Sequence, residues 1–287
     1  MKFNIPILLC LFFFSSLSLH AQTWNLEENS NRDNRLINAP KRCIVDTSLM
    51  ECVYEHVIYD PILDMTEIKD YILEIGKNAS RYGGYGTYQR DSILMTDYPN
   101  GLKRKDVRAL SQKYGASLNE IIQDRSTSKI SYYERLFIDN YMYEEPIPHI
   151  DWKLIGVKEE ICGYECQKAT CSFRGREWTA WYCPEIKANV GPWKFGGLPG
   201  VILKVEDSKK EHIFEALQIR KSLKEFGYYR TNKSSMKTDR VTFNKMVAHF
   251  YDDAGNFLEG NPAAPKTAGG KPVLDHKRRF FNPIEKE

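Results

Sequence analysis

Apolar and polar residues alternate with a period close to two along much of this chain, and β-branched and aromatic residues fill many of the apolar positions. Such alternation is typical of β-strands that bury one face. The strands that it predicts lie at residues 42–46, 51–60, 70–76, 130–143, 152–154, 164–173, 178–183 and 201–206. We therefore expect a mainly β fold of the α+β class, in which an antiparallel sheet carries a few helices.

Other segments depart from this alternation. The glycines within residues 82–86 predict a loop. Between residues 104 and 124, apolar positions recur mostly at spacings of three and four, which predicts two short helices. Ser117 is the expected N-cap of the second helix, with Glu120 three residues later. A further helix is expected from the cap Thr242 to residue 250, and glycine and proline predict a flexible loop near residues 254–272.

A β-hairpin is predicted around the turn Phe173–Glu177, between two strands with alternating patterns. Ala169 and Cys171 then share one face with Trp178 and Ala180 on the neighbouring strand, and we expect that face to point inward. Four of the five tryptophans fall between residues 152 and 193. The core should be densest in this part of the chain.

The N-terminus has the order of a secretory signal peptide: one lysine, an apolar run from Ile5 to Phe14, and a serine-containing stretch that ends in the small residue Ala21. The run is shorter than the roughly 18 to 20 residues that span a bilayer, so we expect no transmembrane anchor. Cys10 lies inside the run, which argues against a lipid anchor. We expect cleavage of residues 1–21 near Ala21, and one domain of residues 22–287 in the periplasm or outside the cell.

The charge and the motif content exclude several classes of function. Lysine and arginine total 41 against 38 acidic residues, which is too small an excess to predict a nucleic-acid-binding protein. No G-x-S-x-G, H-E-x-x-H or phosphate-binding loop occurs, and the histidines stand singly. Neighbouring acids such as Glu144 and Glu145 point to opposite faces of a strand and are expected to be solvated. We predict no catalytic residue, metal ligand or cofactor and lean towards a non-enzymatic protein.

The six cysteines outside the signal suggest disulfides, because exported proteins meet an oxidising environment. Cys43 and Cys52 would close a short loop. Cys166 would face Cys183 if the hairpin turns at residues 174–175, although the sequence does not settle the register. Free buried thiols are the alternative. The spacings among the four cysteines from 162 to 183 fit no paired zinc-binding pattern.

The segment 191–203 combines glycine and proline with large apolar side chains. One interpretation is a rigid buried turn that leads into a core strand at residues 201–203. The other is an aromatic rim at the mouth of an apolar pocket, formed by Trp193 and Phe195. Leu198 and Trp181 are the further candidate ligand contacts.

Within this segment, Gly197-Leu198-Pro199-Gly200-Val201-Ile202 resembles the motif for which the GLPGLI family of exported Gram-negative proteins is named. Val201 stands where the family name has leucine. Further matches in the same order are residues 75–76, Ser80, 152–154, 163–169, 175–176, 180–182, 191–192 and 282–285. The family has no established activity, so the resemblance implies export but no catalytic residues. Its strand pattern is similar to that of periplasmic lipoprotein carriers, which implies a curved antiparallel sheet wrapped around helices and an apolar cavity.

Three functional hypotheses follow. The first is a non-enzymatic envelope protein that binds an apolar ligand or a partner protein. The second is an accessory subunit of an outer-membrane assembly that uses an exposed edge strand. The third is a hydrolase whose site is assembled from residues far apart in sequence.

Overall fold

A computed structural model describes residues 33–115, 117, 119–229, 231, 234–259, 264 and 276–286. The predicted signal peptide, residues 1–21, lies outside this part of the chain. The elements are β1 Leu36–Ile37, β2 Arg42–Asp60, β3 Met65–Gly76, β4 Ala79–Gly84, α1 Tyr85–Thr96, β5 Leu102–Lys103, α2 Arg104–Tyr114, β6 Glu120–Asp124, β7 Lys129–Leu136, β8 Asp139–Pro146, β9 Lys153–Ile161, β10 Tyr164–Phe173, β11 Arg176–Cys183, β12 Val201–Asp207, β13 His212–Lys221, β14 Glu225–Tyr229, β15 Met236–Lys237, α3 Arg240–Asp252 and α4 Ala254–Phe257.

One large sheet of 13 strands dominates the described residues, in the order β15-β8-β7-β6-β4-β3-β2-β13-β12-β11-β10-β9, with β14 paired to β2. Adjacent strands in this sheet are antiparallel, except that β15 and β8 are parallel. The sheet does not close into a barrel. The 19-residue strand β2 lies in the middle of the sheet. Strand β3 pairs along one side of β2, and β13 and β14 pair with different parts of its other side. The expectation of a mainly β, α+β fold is confirmed.

The predicted hairpin is formed by β10 and β11. Its turn residues Arg174 and Gly175 both have positive φ, 51° and 71°, as in the two-residue turns that match the twist of a hairpin. Cys171 lies opposite Trp178, and both side chains are buried. The predicted inward face is confirmed, and the tryptophans at 178, 181 and 193 belong to the main hydrophobic core.

The loop predicted at residues 82–86 is wrong, because β4 continues to Gly84 and α1 begins at Tyr85. These glycines allow close contact between segments. A Cβ atom on Gly84 would lie 2.6 Å from Cβ of Ser117, and one on Gly86 would lie 1.7 Å from the carbonyl oxygen of Tyr114. Glycine here marks close approach of the backbone, which is its other use in sheets and helices.

The helices were predicted only in part. The first helix within residues 104–124 is α2, but the second is wrong, because residues 120–124 form the buried strand β6 between β4 and β7. The N-cap of α3 is Asp239, whose carboxylate accepts a hydrogen bond from the Thr242 amide. Of the flexible loop predicted near 254–272, the structure describes residues 254–259 and 264, and the first four of these form α4.

The disulfide predictions are corrected by the structure, in which all six described cysteines are free. Cys43 and Cys52 lie nine residues apart on the single strand β2, so about 30 Å separates them at roughly 3.3 Å per residue. A disulfide needs Cα atoms within about 7 Å. Gln167 pairs with Tyr182, and the same register would place Cys166 opposite Cys183 at the next position. Both thiols are nevertheless free, and that of Cys166 donates a hydrogen bond to the Tyr164 carbonyl at 3.5 Å.

The main core is formed by side chains of β2–β4, β6, β7 and β9–β13 and by the segment that follows β11. A second cluster packs α3 against β7 and β8 through Phe243, Phe250 and Tyr143.

Among the described residues, no helix is long and apolar enough to cross a membrane.

Gly200 tests how tightly the segment after β11 packs. A Cβ atom at this position would lie 2.1 Å from the carbonyl oxygen of Cys183, whereas one at Gly156 on β9 would meet nothing within 4 Å. We expect Gly200→Ala to lower the free energy of unfolding by about 3 kcal/mol, the upper range for overpacking. Gly156→Ala should change it by less than about 0.5 kcal/mol. Denaturant unfolding of both variants measures this, and equal effects would contradict the packing described here.

Candidate binding cavity

A gap in the large sheet creates the main candidate site. The central strands β4 and β6 are short: β3 pairs with β4 only from Tyr71 onward, and β7 pairs with β6 only up to Tyr133. Beyond these residues β3 continues along β2 and β7 along β8, and no strand lies between them in the described chain. Helix α3 and residues 280–286, here called the C-terminal strap, line the resulting cavity of about 540 Å³.

The cavity lining is largely aromatic and aliphatic. Its aromatic members are Tyr71, Tyr132, Tyr143, Trp193, Phe243, Tyr251, Phe280 and Phe281. Several of these rings support one another, since Tyr132 stacks on Tyr143 and Tyr251 stacks on Phe281, each pair with centroids 4.8 Å apart. Stacked aromatic pairs hold their rings in fixed positions, which gives the cavity a defined wall.

Lys194 is buried beside this wall, with 1% of its surface exposed. Its ammonium group lies 2.6 Å from a carboxylate oxygen of Glu145 and 2.6 Å from one of Glu285. It also donates a hydrogen bond to the Tyr143 hydroxyl at 2.9 Å. Arg240 of α3 binds the other oxygen of Glu285 at 2.6 Å. This ion cluster connects the segment after β11, strand β8, helix α3 and the C-terminal strap.

The C-terminal strap is also fixed by Arg176, whose guanidinium is almost completely buried. It binds Asp207 at 2.9 Å and Glu211 at 2.7 Å, and donates to the side chain of Asn282 and the carbonyl of Pro283, both at 2.7 Å. Burial raises the pKa of Glu211, but the hydrogen bonds from Lys286, Arg176 and Asn282 outweigh it and lower the pKa to about 2. The strap therefore stays anchored across the physiological pH range.

Two buried histidines meet at one side of the cavity. Nε2 of His56, on β2, lies 3.1 Å from Nδ1 of His212, on β13. Burial lowers the pKa of His56 well below its usual value, and the neighbouring His212 lowers it further. Burial and the charge of Arg176 lower the pKa of His212 to about 3. Both rings are therefore neutral at neutral pH, with one donating to the other. The sequence shows them as single histidines because 156 positions separate them.

Glu134 provides a carboxylate at the edge of the gap. It follows the last β7 residue paired with β6 and is half-buried. The Tyr132 hydroxyl donates a hydrogen bond to it. Burial raises the pKa of Glu134, and this effect exceeds the opposing influence of Tyr132 and Lys69. Lys69 itself pairs with Glu67 at 2.6 Å.

The structure brings only one of the four predicted ligand contacts to this cavity. Trp193 lines it, with a positive φ of 52°. Phe195 is fully buried and does not line the cavity; its ring packs edge-to-face on Trp178, with the ring centroids 4.8 Å apart. Leu198 and Trp181 are buried in the main core and do not line the cavity. A ligand-binding role for all four residues stays a prediction.

The motif at residues 197–202 forms the bend that enters β12. Gly197 has a φ of 87°, which a residue with a side chain rarely adopts. Val201 and Ile202 begin the strand with no exposed surface. This arrangement places Trp193 and Lys194 against β8 and the strap.

A second cavity of about 640 Å³ lies between the start of β2, helix α1 and β14. Arg42, on its wall, is held by Glu120 at 2.9 Å and Asp91 at 3.3 Å. The guanidinium of Arg42 is thus already paired, which makes this cavity a weaker candidate for ligand recognition. Within the described ranges, no group of three or more histidine, cysteine or acidic side chains is arranged to hold a metal ion.

Comparison with known proteins gives limited similarity. A family model described as a protein of unknown function (Porph_ging) matches residues 173–204, which include β11 and the motif at 197–202. No curated protein matches the chain. Two solved structures of PNGF-II are similar to it, one with 14% identity and a TM-score of 0.45 and one with 15% and 0.47. In both cases the match covers 71% of this chain but 33% of PNGF-II, and the TM-scores are too low to support an inference.

The buried histidine pair makes stability depend on pH. Below about pH 6.5 an unfolded chain protonates its histidines, whereas burial holds the folded His56 and His212 neutral, so the free energy of unfolding should fall as the pH drops from 6.5 to 5. His212→Asn should reduce that slope by up to about 1.4 kcal/mol per pH unit. His149→Asn, at an exposed site, is the matched control. Denaturant unfolding at several pH values measures the slopes; the same slope in His212→Asn as in the unmodified protein would contradict this.

Proposed function

We propose that this protein is an exported, non-enzymatic binding protein for a small and mostly apolar ligand that occupies the cavity between β3, β7 and α3. The observation that carries the proposal is the cavity itself. Its volume of about 540 Å³ falls within the roughly 300 to 1,000 Å³ of small-molecule sites, and aromatic walls with a few polar groups are their usual lining.

The anchoring of the C-terminal strap supports this function. Arg176 holds the strap through hydrogen bonds to Asn282 and Pro283, and Lys194 holds it through a buried ion pair with Glu285. The stacked rings fix the aromatic side chains of the wall. A cavity that is already formed loses little conformational entropy when a ligand enters. The apolar surface that a ligand buries there contributes about 25 cal/mol per Å² before the cost of association.

The lining offers little for hydrolysis. Among the described residues that line the cavity there is no serine, threonine or cysteine, so a hydrolase that uses one of these three nucleophiles is not favoured here. The two histidines are neutral and pair with each other rather than with a nucleophile. These features favour binding over catalysis.

Membership in the GLPGLI family and location in the periplasm or outside the cell are parts of the same proposal. The family match at residues 173–204 includes the motif at 197–202, which supports a relationship to an uncharacterised family. Export rests on the signal-like order of residues 1–21.

A partner-binding role is the second candidate, and strand β9 favours it. This strand lies at one end of the sheet, and among the described residues its one strand partner is β10. Leu154 and Val157 on it are 58% and 51% exposed, and a free edge of this kind can accept a strand from another protein. Lys158, Glu159 and Glu160 place charges on the same edge, which is how proteins protect edges from pairing, so we rank this role second.

Filling the cavity tests the first candidate. Ala248 lines the cavity from α3 and is exposed to solvent, so Ala248→Phe should fold and place a ring at the ligand space. We expect it to weaken binding of the neutral dye N-phenylnaphthylamine at least about tenfold, a loss of roughly 1.4 kcal/mol. His249→Phe, at the next exposed position and outside the lining, is the control. Dye fluorescence measures both, and no dye binding to the unmodified protein, or equal binding to both variants, would refute the proposed site.

A further inference from the structure

The charged groups of the cavity are only partly paired with one another. Its lining contains three glutamates and three lysines, and most of them already have partners. Glu67 pairs with Lys69 at 2.6 Å, Glu285 with the buried ammonium of Lys194, and Lys286 with Glu211 at 3.0 Å. This leaves two charges without an ion pair among the described residues, Glu134 at the gap and Lys245 on α3.

These two charges differ in their surroundings. Lys245 is exposed on the helix surface, where water solvates its ammonium group, while Glu134 is half-buried. The hydrogen bond from the Tyr132 hydroxyl is the one that Glu134 accepts within the described chain. Lys69 acts on Glu134 electrostatically but forms its ion pair with Glu67. A partly buried carboxylate without a cation in direct contact is unfavourable unless a partner compensates for the lost hydration. A cationic ligand would therefore compensate Glu134 directly.

The rings around Glu134 suit a positive charge. Tyr132 stacks on Tyr143 beside it, and Tyr71 and Tyr251 are close enough for its charge to raise their pKa values. The faces of aromatic rings attract cations within about 6 Å. The protein already uses these rings in this way, since the Lys194 ammonium lies 5.6 Å from the ring centre of Tyr132 and 5.0 Å from that of Tyr143.

We propose that the ligand of this cavity is an organic amine, whose protonated head pairs with Glu134 among the tyrosine rings while its apolar body lies against the aromatic wall. This inference rests on the proposed binding function and adds the chemical class of the ligand. A charge-assisted hydrogen bond to Glu134 would satisfy the carboxylate, and such bonds are roughly twice as strong as neutral ones.

An anionic ligand fits the same site poorly. Its carboxylate would meet Glu134, and binding to Lys69 or Lys286 would require breaking a pair with Glu67 or Glu211. Lys245, the lining lysine without an ion pair among the described residues, is exposed on α3, where water competes with a ligand for its ammonium group. The charge of Lys194 does not change this, because two carboxylates lie within 2.6 Å of it. The cavity should therefore select amines over acids of the same length.

Three ligands that differ only in the head group test the inference. Displacement of N-phenylnaphthylamine by octylamine, octanol and octanoate gives their relative affinities for the unmodified protein at neutral pH. We expect octylamine to bind about tenfold or more tightly than octanoate, with octanol between them. Glu134→Gln should bring octylamine and octanoate within about twofold of each other. Glu144→Gln makes the same charge change at a side chain that is 53% exposed on β8, and should keep the preference.

The outcomes separate the two proposals. If octanol and the dye bind but octylamine has no advantage over octanoate, the ligand class is wrong while the binding function stands. A preference for octylamine that persists in Glu134→Gln would show that another group selects the amine, which also overturns the inference. If neither the dye nor octanol binds the unmodified protein, the proposed function fails and the inference fails with it. The ratio measured for the unmodified protein is decisive even if Glu134→Gln does not fold.

Discussion

The buried ammonium group of Lys194 is the constraint on which the candidate site depends. A charge in a protein interior is tolerated only with charged or hydrogen-bonding partners, and Lys194 finds Glu145 on β8, Glu285 in the C-terminal strap and the Tyr143 hydroxyl. Satisfying one lysine therefore requires three distant parts of the chain to meet. The bend after β11, strand β8 and the strap are held in one arrangement, which places Trp193 on the cavity wall.

The shape of the sheet supplies the space that this arrangement covers. Because β4 and β6 are short, β3 and β7 separate where they extend beyond them, and a gap opens in the sheet. Helix α3 and the C-terminal strap lie over the gap, and the stacked aromatic rings narrow it to a cavity. An aromatic space that contains one carboxylate without an ion pair among the described residues is suited to binding a small amphipathic molecule.

Local patterns in the sequence were enough to predict the β10–β11 hairpin, helix α2 and the strand at 201–206, because each depends on neighbours within a few residues. The failures at residues 82–86 and 120–124 have a tertiary cause: the glycines serve close contacts, and β6 is formed by pairing with β4 and β7 despite a helix-like spacing. Trp193 was found through the glycines and prolines around it. Glu134, the histidine pair and the Lys194 cluster depend on contacts across the fold, including one of 91 residues between Lys194 and Glu285, which no local pattern reveals.

Hydrogen exchange in Lys194→Met tests the role of Lys194 most directly. Removing the ammonium leaves Glu145 and Glu285 without their shared partner, at a cost of about 3 to 5 kcal/mol for a buried pair. The amides of Phe281 and Lys286 donate hydrogen bonds that hold the strap, so we expect their exchange to accelerate at least about tenfold, while amides of the β10–β11 ladder change much less. Unchanged protection of the strap in a folded Lys194→Met protein would contradict the central role of this lysine.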